Sequence, residues 1–159
     1  MEKKFNSKKY SKIELEHIKV EINHKRFHHL RHFIDQYYCY IHGYVTKNGT
    51  PRWSDILWTS NVSVQAQKTK NKTNVVKEHV VPIKVITKKL QALEETCSLI
   101  EIKTVLDEFL IFATITKTED AKLSKMGLRQ KMPKAYYDPS HILYNDKFSR
   151  YKMAGIDIF

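Results

Sequence analysis

The sequence predicts an α+β protein: an N-terminal helical hairpin packed on a small β-sheet, in a single domain. Three observations lead there. Apolar residues at alternating three- and four-residue steps (Phe27, Leu30, Ile34, Tyr37, Ile41, Tyr44) describe a long amphipathic helix ending near Gly43. Two β-branched runs, 74–81 and 110–116, read as strands. The segments after them return to helical spacing. A chain of 159 residues with 42% apolar content is large enough for one real core.

In chain order, residues 1–10 are polar and basic and read as a flexible arm. Residues 11–60 form the helical part. Ser11 is placed to cap its first helix, with Glu14 at the capping-box position. This part carries six of the eight histidines, and His24, His28 and His32 stand four apart, on one face of a continuous helix. Imidazoles at that spacing can bind a metal, but Lys25, Arg26 and Arg31 among them favour a basic face that gains charge below about pH 6.5. Asn48-Gly49 marks a turn, and Thr50 with Pro51 opens a short helix through Trp53, Ile56 and Leu57. Trp58 serves either the core or a stacking platform.

Residues 61–159 form the α+β part. From Asn61 to Thr73 the chain is polar and reads as a loop or hairpin arm. There Lys68, Lys70 and Lys72 alternate, facing one way in an extended segment as suits a phosphate backbone. The strand 74–81 ends at Pro82, which lacks the N–H a ladder needs, and Ile83, Ile86, Leu90 and Leu93 follow at helical spacing. A further helix is expected over Leu99–Glu108. Leu110–Thr116 is a continuous apolar run of the kind found in central strands. Thr118 is expected to cap a short helix that Gly127 ends. The C-terminal third mixes basic and aromatic residues without period, and Pro133 and Pro139 make it irregular.

The formal charge of +11 favours a polyanionic partner, nucleic acid first and an anionic membrane surface second; of the nucleic acids RNA is expected ahead of DNA. The charge is uneven. Residues 66–90 hold seven Lys against Glu78 alone, and 122–152 hold eight Lys and Arg against Asp138 and Asp146. Residues 91–120 between them carry seven acids against Lys103 and Lys117. The two basic segments are therefore expected to share a face. An acidic protein, as inhibitor or as the target of a basic adaptor, is the other partner this charge suits. No 18-residue apolar run and no secretion signal is present, and Cys39 and Cys97 stand far apart, so a cytoplasmic protein with reduced thiols and no membrane span is expected. The common zinc and nucleotide motifs are absent, and no cofactor or metal is expected.

The chemistry-bearing residues cluster at the end of the first strand. On a strand Lys77 and His79 share a face while Glu78 points the other way. A histidine moving a proton beside a cation suits phosphodiester cleavage without a metal. His79 is then the general acid/base, with Lys77 and Glu78 beside it. Arg129, Lys131 and Arg150 are expected to hold phosphate, with Tyr151 stacking or donating a proton.

The run Val75–Pro82, VVKEHVVP, resembles the first motif of HNH (His-Me finger) nucleases, in which an acidic residue and a histidine close the first strand of a ββα unit. That resemblance implies a metal-linked Glu78 and His79 as the base activating water. In organisation, with a helical part, a small sheet and scattered His, Lys, Arg and Tyr, the chain resembles the metal-independent ribonucleases of the RelE and colicin type. This second resemblance implies a small ribonuclease of toxin, phage or defence systems. The alternative is a non-catalytic RNA- or DNA-binding protein.

Overall fold

A computed structural model describes residues 7–159. Among them the chain forms α1 (Ser7–Asn23), α2 (Leu30–His42), α3 (Val64–Thr69), β1 (Val75–His79), α4 (Ile83–Gln91), α5 (Leu99–Phe109), β2 (Phe112–Thr116), α6 (Lys117–Lys125), α7 (Lys134–Tyr137) and α8 (Ser149–Met153). The α+β class is as expected. The chain divides into two compact units, one of the residues up to Ile56 with Thr87–Glu108, the other of Leu57–Ile86 with Phe109–Phe159. No helix among the described residues is long and apolar enough to cross a membrane.

The first unit contains the helical hairpin, but both arms come from the stretch that the Ser11 cap and the Gly43 end delimit in the sequence as one helix. α1 ends because Lys25 adopts a left-handed backbone (φ 53°). Its N–H donates to the Ile22 carbonyl at 3.1 Å and that of Arg26 to Glu21 at 2.9 Å. This pair of bonds closes a helix end and reverses the chain, normally around a glycine. Contacts at both levels of the hairpin set its arms antiparallel: Ser7 Oγ donates to the Tyr40 carbonyl, and His17 lies 4.9 Å from Phe33. Ser11 is therefore not a cap. It lies inside α1, its hydroxyl donating to the Lys8 carbonyl. Residues 7–10 of the expected arm are helical, and 1–6 lie outside the described residues. The break also removes the common histidine face, since His24 and His28 lie in the reversal and only His32 is on α2. Gly43 closes α2 at φ 72°, as expected. Thr50 and Pro51 open no α-helix. Pro51 bridges Val45, and a single 3-10 turn covers Trp53–Ile56. α5 begins with a capping box in which Ser98 N–H donates to Glu101 at 2.7 Å and Glu101 N–H to Ser98 Oγ at 3.2 Å.

In the second unit β1 and β2 pair antiparallel, Val75 opposite Thr116 and His79 opposite Phe112. β2 earns its central character on its other side, where Ser63 N–H donates to Thr114 and Thr114 N–H to Asn61, both at 2.9 Å. The C-terminal residues add a further bridge, Ser63 to Ile158. Side chains alternate across this layer. Val80, Ala113 and Ile115 pack with Leu123, Leu128, Tyr151, Ala154 and Ile156 on the core face, with Val76 at its margin. The opposite face carries Val75, Lys77, His79, Phe112, Thr114 and Thr116.

Residues 61–73 are not an extended arm. Ser63 caps α3, accepting from Ala66 N–H at 3.0 Å, and a 3-10 turn covers Lys72–Asn74. Lys68 is then helical, Lys70 takes the left-handed cap (φ 47°) and Lys72 opens the turn, so the three lysines do not align as strand residues would. The cap of α6 is Thr116 rather than Thr118, in a full capping box with Glu119. Burial explains the shift. Glu119 must sit where it accepts from Thr116 N–H (2.8 Å) and from the buried hydroxyl of Ser63 (2.6 Å), so one carboxylate ties together the starts of α3 and α6. Gly127 ends α6 with φ 69°, as expected.

Candidate nucleic-acid interface

Glu78 occupies a core-facing position between Val76 and Val80, opposite the small Ala113. A carboxylate there needs a cation and hydrogen-bond donors, because an unpaired buried charge is costly. α8 supplies both from adjacent residues. Arg150 Nη2 lies 3.0 and 2.8 Å from the two Glu78 oxygens, and the Tyr151 hydroxyl donates to the same carboxylate. The guanidinium also donates to the Val80 carbonyl through Nε at 3.1 Å, to Leu128 through Nη1 at 2.8 Å, and to the His79 carbonyl. Arg150 and Tyr151 are both 0% exposed. Burial, and then the Glu78 charge, hold the Tyr151 phenol well above its ordinary pKa.

This corrects three expectations for these side chains. Arg150 holds no phosphate, because every face of its guanidinium is spent on the protein. Tyr151 neither stacks on a base nor lends a proton at neutral pH. Glu78 is a buried ion-pair partner, so the metal-linked role implied by the HNH resemblance finds its oxygens already engaged. Among the described residues no group of three or more His, Cys, Asp or Glu could hold a metal ion.

What Arg150 does is hold the strand end in place. It gathers the carbonyls of His79, Val80 and Leu128 and approaches that of Arg129 at 3.5 Å. The backbone of the basic loop at Arg129 is thus brought to the backbone of His79. Arg129 and Lys131 remain exposed, as a phosphate-binding role requires.

Lys77 and His79 lie together on the other face. The His79 ring lies 4.4 Å from that of Phe112, its cross-strand neighbour, tilted by 42°, and Lys77 Nζ stands 6.0 Å from the Phe112 ring. His79 is 9% exposed, so only a narrow edge is accessible to a substrate. Farther along this face a cleft of about 610 Å³ is lined by Gln65, Lys68, Thr69, Asn74, Thr116, Lys117, Thr118 and Glu119. Lys68 is among the residues the sequence singles out; Lys117 is not, because it follows an apolar strand in an acidic stretch.

The two units differ in charge. The first carries fourteen Lys and Arg against eleven Asp and Glu, net +3, and the second fourteen against six, net +8. Most of both basic segments lies in the second unit, while Glu94, Glu95, Glu101, Asp107 and Glu108 lie in the first. Fold and charge together define a basic α+β protein with a lysine-bearing sheet face. No protein-family model, curated protein or solved structure matches the chain.

Proposed function

We propose that this chain binds single-stranded nucleic acid on the β1–β2 face of its second unit. The observation that carries the reading is the net charge of +8 in the second unit, whose sheet brings Lys77, His79 and Phe112 together on one face, with Lys68 and Lys117 lining a cleft. Lysines neutralise phosphates and release counterions, which is what a polyanionic strand needs from this face. The test is binding of labelled single-stranded RNA and DNA across a salt series. Affinity should fall steeply as salt rises. A flat dependence removes nucleic acid and favours an acidic protein as partner.

A second reading adds catalysis: cleavage of RNA, with His79 as general acid/base and Lys77, Arg129 and Lys131 offsetting charge on the phosphate. Lys77 and His79 sharing the Phe112 ring is the observation that favours it. Without a metal the nucleophile is the neighbouring 2′-hydroxyl, so RNA is cut and DNA is not. The His79→Ala variant should then bind but not cleave, and wild-type cleavage should persist in EDTA. Binding with no cleavage of any RNA leaves the non-catalytic protein. Cleavage that stops in EDTA and returns with Mg²⁺ brings back the HNH alternative.

A further inference from the structure

We infer that Trp58, Gln67 and Lys70 form a subsite for one unpaired base of a nucleic-acid chain, which deepens the binding function proposed above and rests on it. Trp58 adopts a left-handed backbone (φ 68°), a conformation a bulky residue rarely takes. Such strain persists where the surroundings hold it, and it concentrates at binding sites. Here the holding groups are Thr114 and Asn61. Trp58 N–H donates to Thr114 Oγ1 at 3.0 Å, and Asn61, itself left-handed at φ 47°, donates through Nδ2 to the Phe112 carbonyl at 3.1 Å. The turn between them is stitched to β2.

The result is an indole with two environments. Part of it packs on the cluster of Val62, Ala66 and Val75. The rest lines a cavity of about 330 Å³ with Val62, Gln67 and Lys70. That volume lies at the small end of ligand-sized pockets. The chemistry matches a base linked to a phosphate: a rigid aromatic plane to stack on, an amide with donor and acceptor for a base edge, and an ammonium for the charge. Lys70 presents that ammonium from the left-handed cap that ends α3.

The subsite also has the right address. Thr114, which anchors Trp58, is the cross-strand partner of Lys77 and lies two residues from Phe112, the partner of His79. Two strand residues span about 7 Å. A base on Trp58 therefore places its backbone on the face that carries Lys77 and His79.

The test compares a short deoxyoligonucleotide with one of equal length and charge whose bases are all replaced by abasic spacers, both titrated against the wild-type chain. The base-bearing strand should bind about five- to a hundredfold more tightly. Trp58→Ala, checked for folding by circular dichroism, should bring its affinity down to the abasic level, and Trp58→Phe should keep part of the difference. If Trp58→Ala does not fold, Trp58→Phe and Gln67→Ala carry the comparison. Equal binding of both strands overturns the subsite and leaves a backbone-binding face. A mononucleotide that binds as tightly as the oligonucleotide overturns the chain substrate in favour of a free nucleotide. Binding of neither strand overturns the parent proposal as well.

Discussion

Arg150 and Glu78, 72 residues apart, form an ion pair at 2.8 Å in which the arginine side chain is 0% and the glutamate 13% exposed. The pair fastens α8 to the last residues of β1, and it shares its guanidinium with three backbone carbonyls of that corner. Its role is to fix where His79 and the Arg129 loop stand. The pair is a structural device inside the basic unit.

Breaking the pair from one side should be costly. Glu78→Ala leaves a buried guanidinium uncompensated and is expected to destabilise the chain by about 3–5 kcal/mol. Glu78→Gln, which keeps an acceptor, should cost less. Arg150→Lys should not restore stability, because an ammonium cannot serve Nε, Nη1 and Nη2 partners together. Urea unfolding of the three variants checks this, and a loss below 1 kcal/mol for Glu78→Ala would refute the buried-pair account.

The cap of α6 separates two neighbouring threonines. Thr116→Ala should lose about 1 kcal/mol, as N-cap truncations do. Glu119→Ala should lose more, because the buried Ser63 hydroxyl and Thr116 N–H both lose an acceptor. Thr118→Ala should stay within about 0.5 kcal/mol, as surface changes do. Thermal melts of the three rank them, and equal losses at 116 and 118 would contradict the observed cap.

Salt dependence assigns the phosphate contacts. For single strands each contact contributes a slope of about −0.7 to log K against log salt. Lys68→Ala, Lys117→Ala, Lys131→Ala and Arg129→Ala should each flatten the slope by about that amount with the fold intact. Lys103→Ala, in the first unit, should leave it unchanged. A slope indifferent to all four variants would move the interface off this unit.

The first unit should respond to pH in both directions. His42 packs 4.2 Å from Tyr38 and 5.7 Å from Tyr44, and burial lowers its pKa below 6.5, with the charge of Asp107 opposing. A lowered histidine means the unfolded chain binds the proton first. Its contribution is thus whole above about pH 6.5 and declines as pH falls through that value towards the folded one. Asp107→Asn should depress the midpoint further, read from the His42 ring protons by NMR. At the alkaline end burial pushes Tyr38 from 10.0 up to about 12. Its contribution is present below pH 10 and is lost between about 10 and 12, together with late phenolate absorbance. A His42 midpoint at or above 6.5 would count against the burial described.

Local chemistry was enough to place several elements. The β-branched residues around Lys77 and His79, the missing N–H of Pro82, the apolar run before Thr116 and the glycines at 43 and 127 each act over a few residues, and those strands and helix ends stand where the sequence puts them. Alternation on β1 also separates Glu78 from His79 without any knowledge of the fold. Other features were open until the chain closed. No glycine or proline stands in 24–29 to mark a break, and only the left-handed turn at Lys25 splits the stretch into a hairpin. Arginine and tyrosine suit a phosphate surface and a buried carboxylate equally well. Which role Arg150 and Tyr151 take was decided by Glu78, whose core-facing position demands a cation that the local strand cannot supply. The left-handed backbone of Trp58 was likewise illegible, because the contact with Thr114 on β2 that accompanies it spans 56 residues and leaves no periodic trace in the sequence.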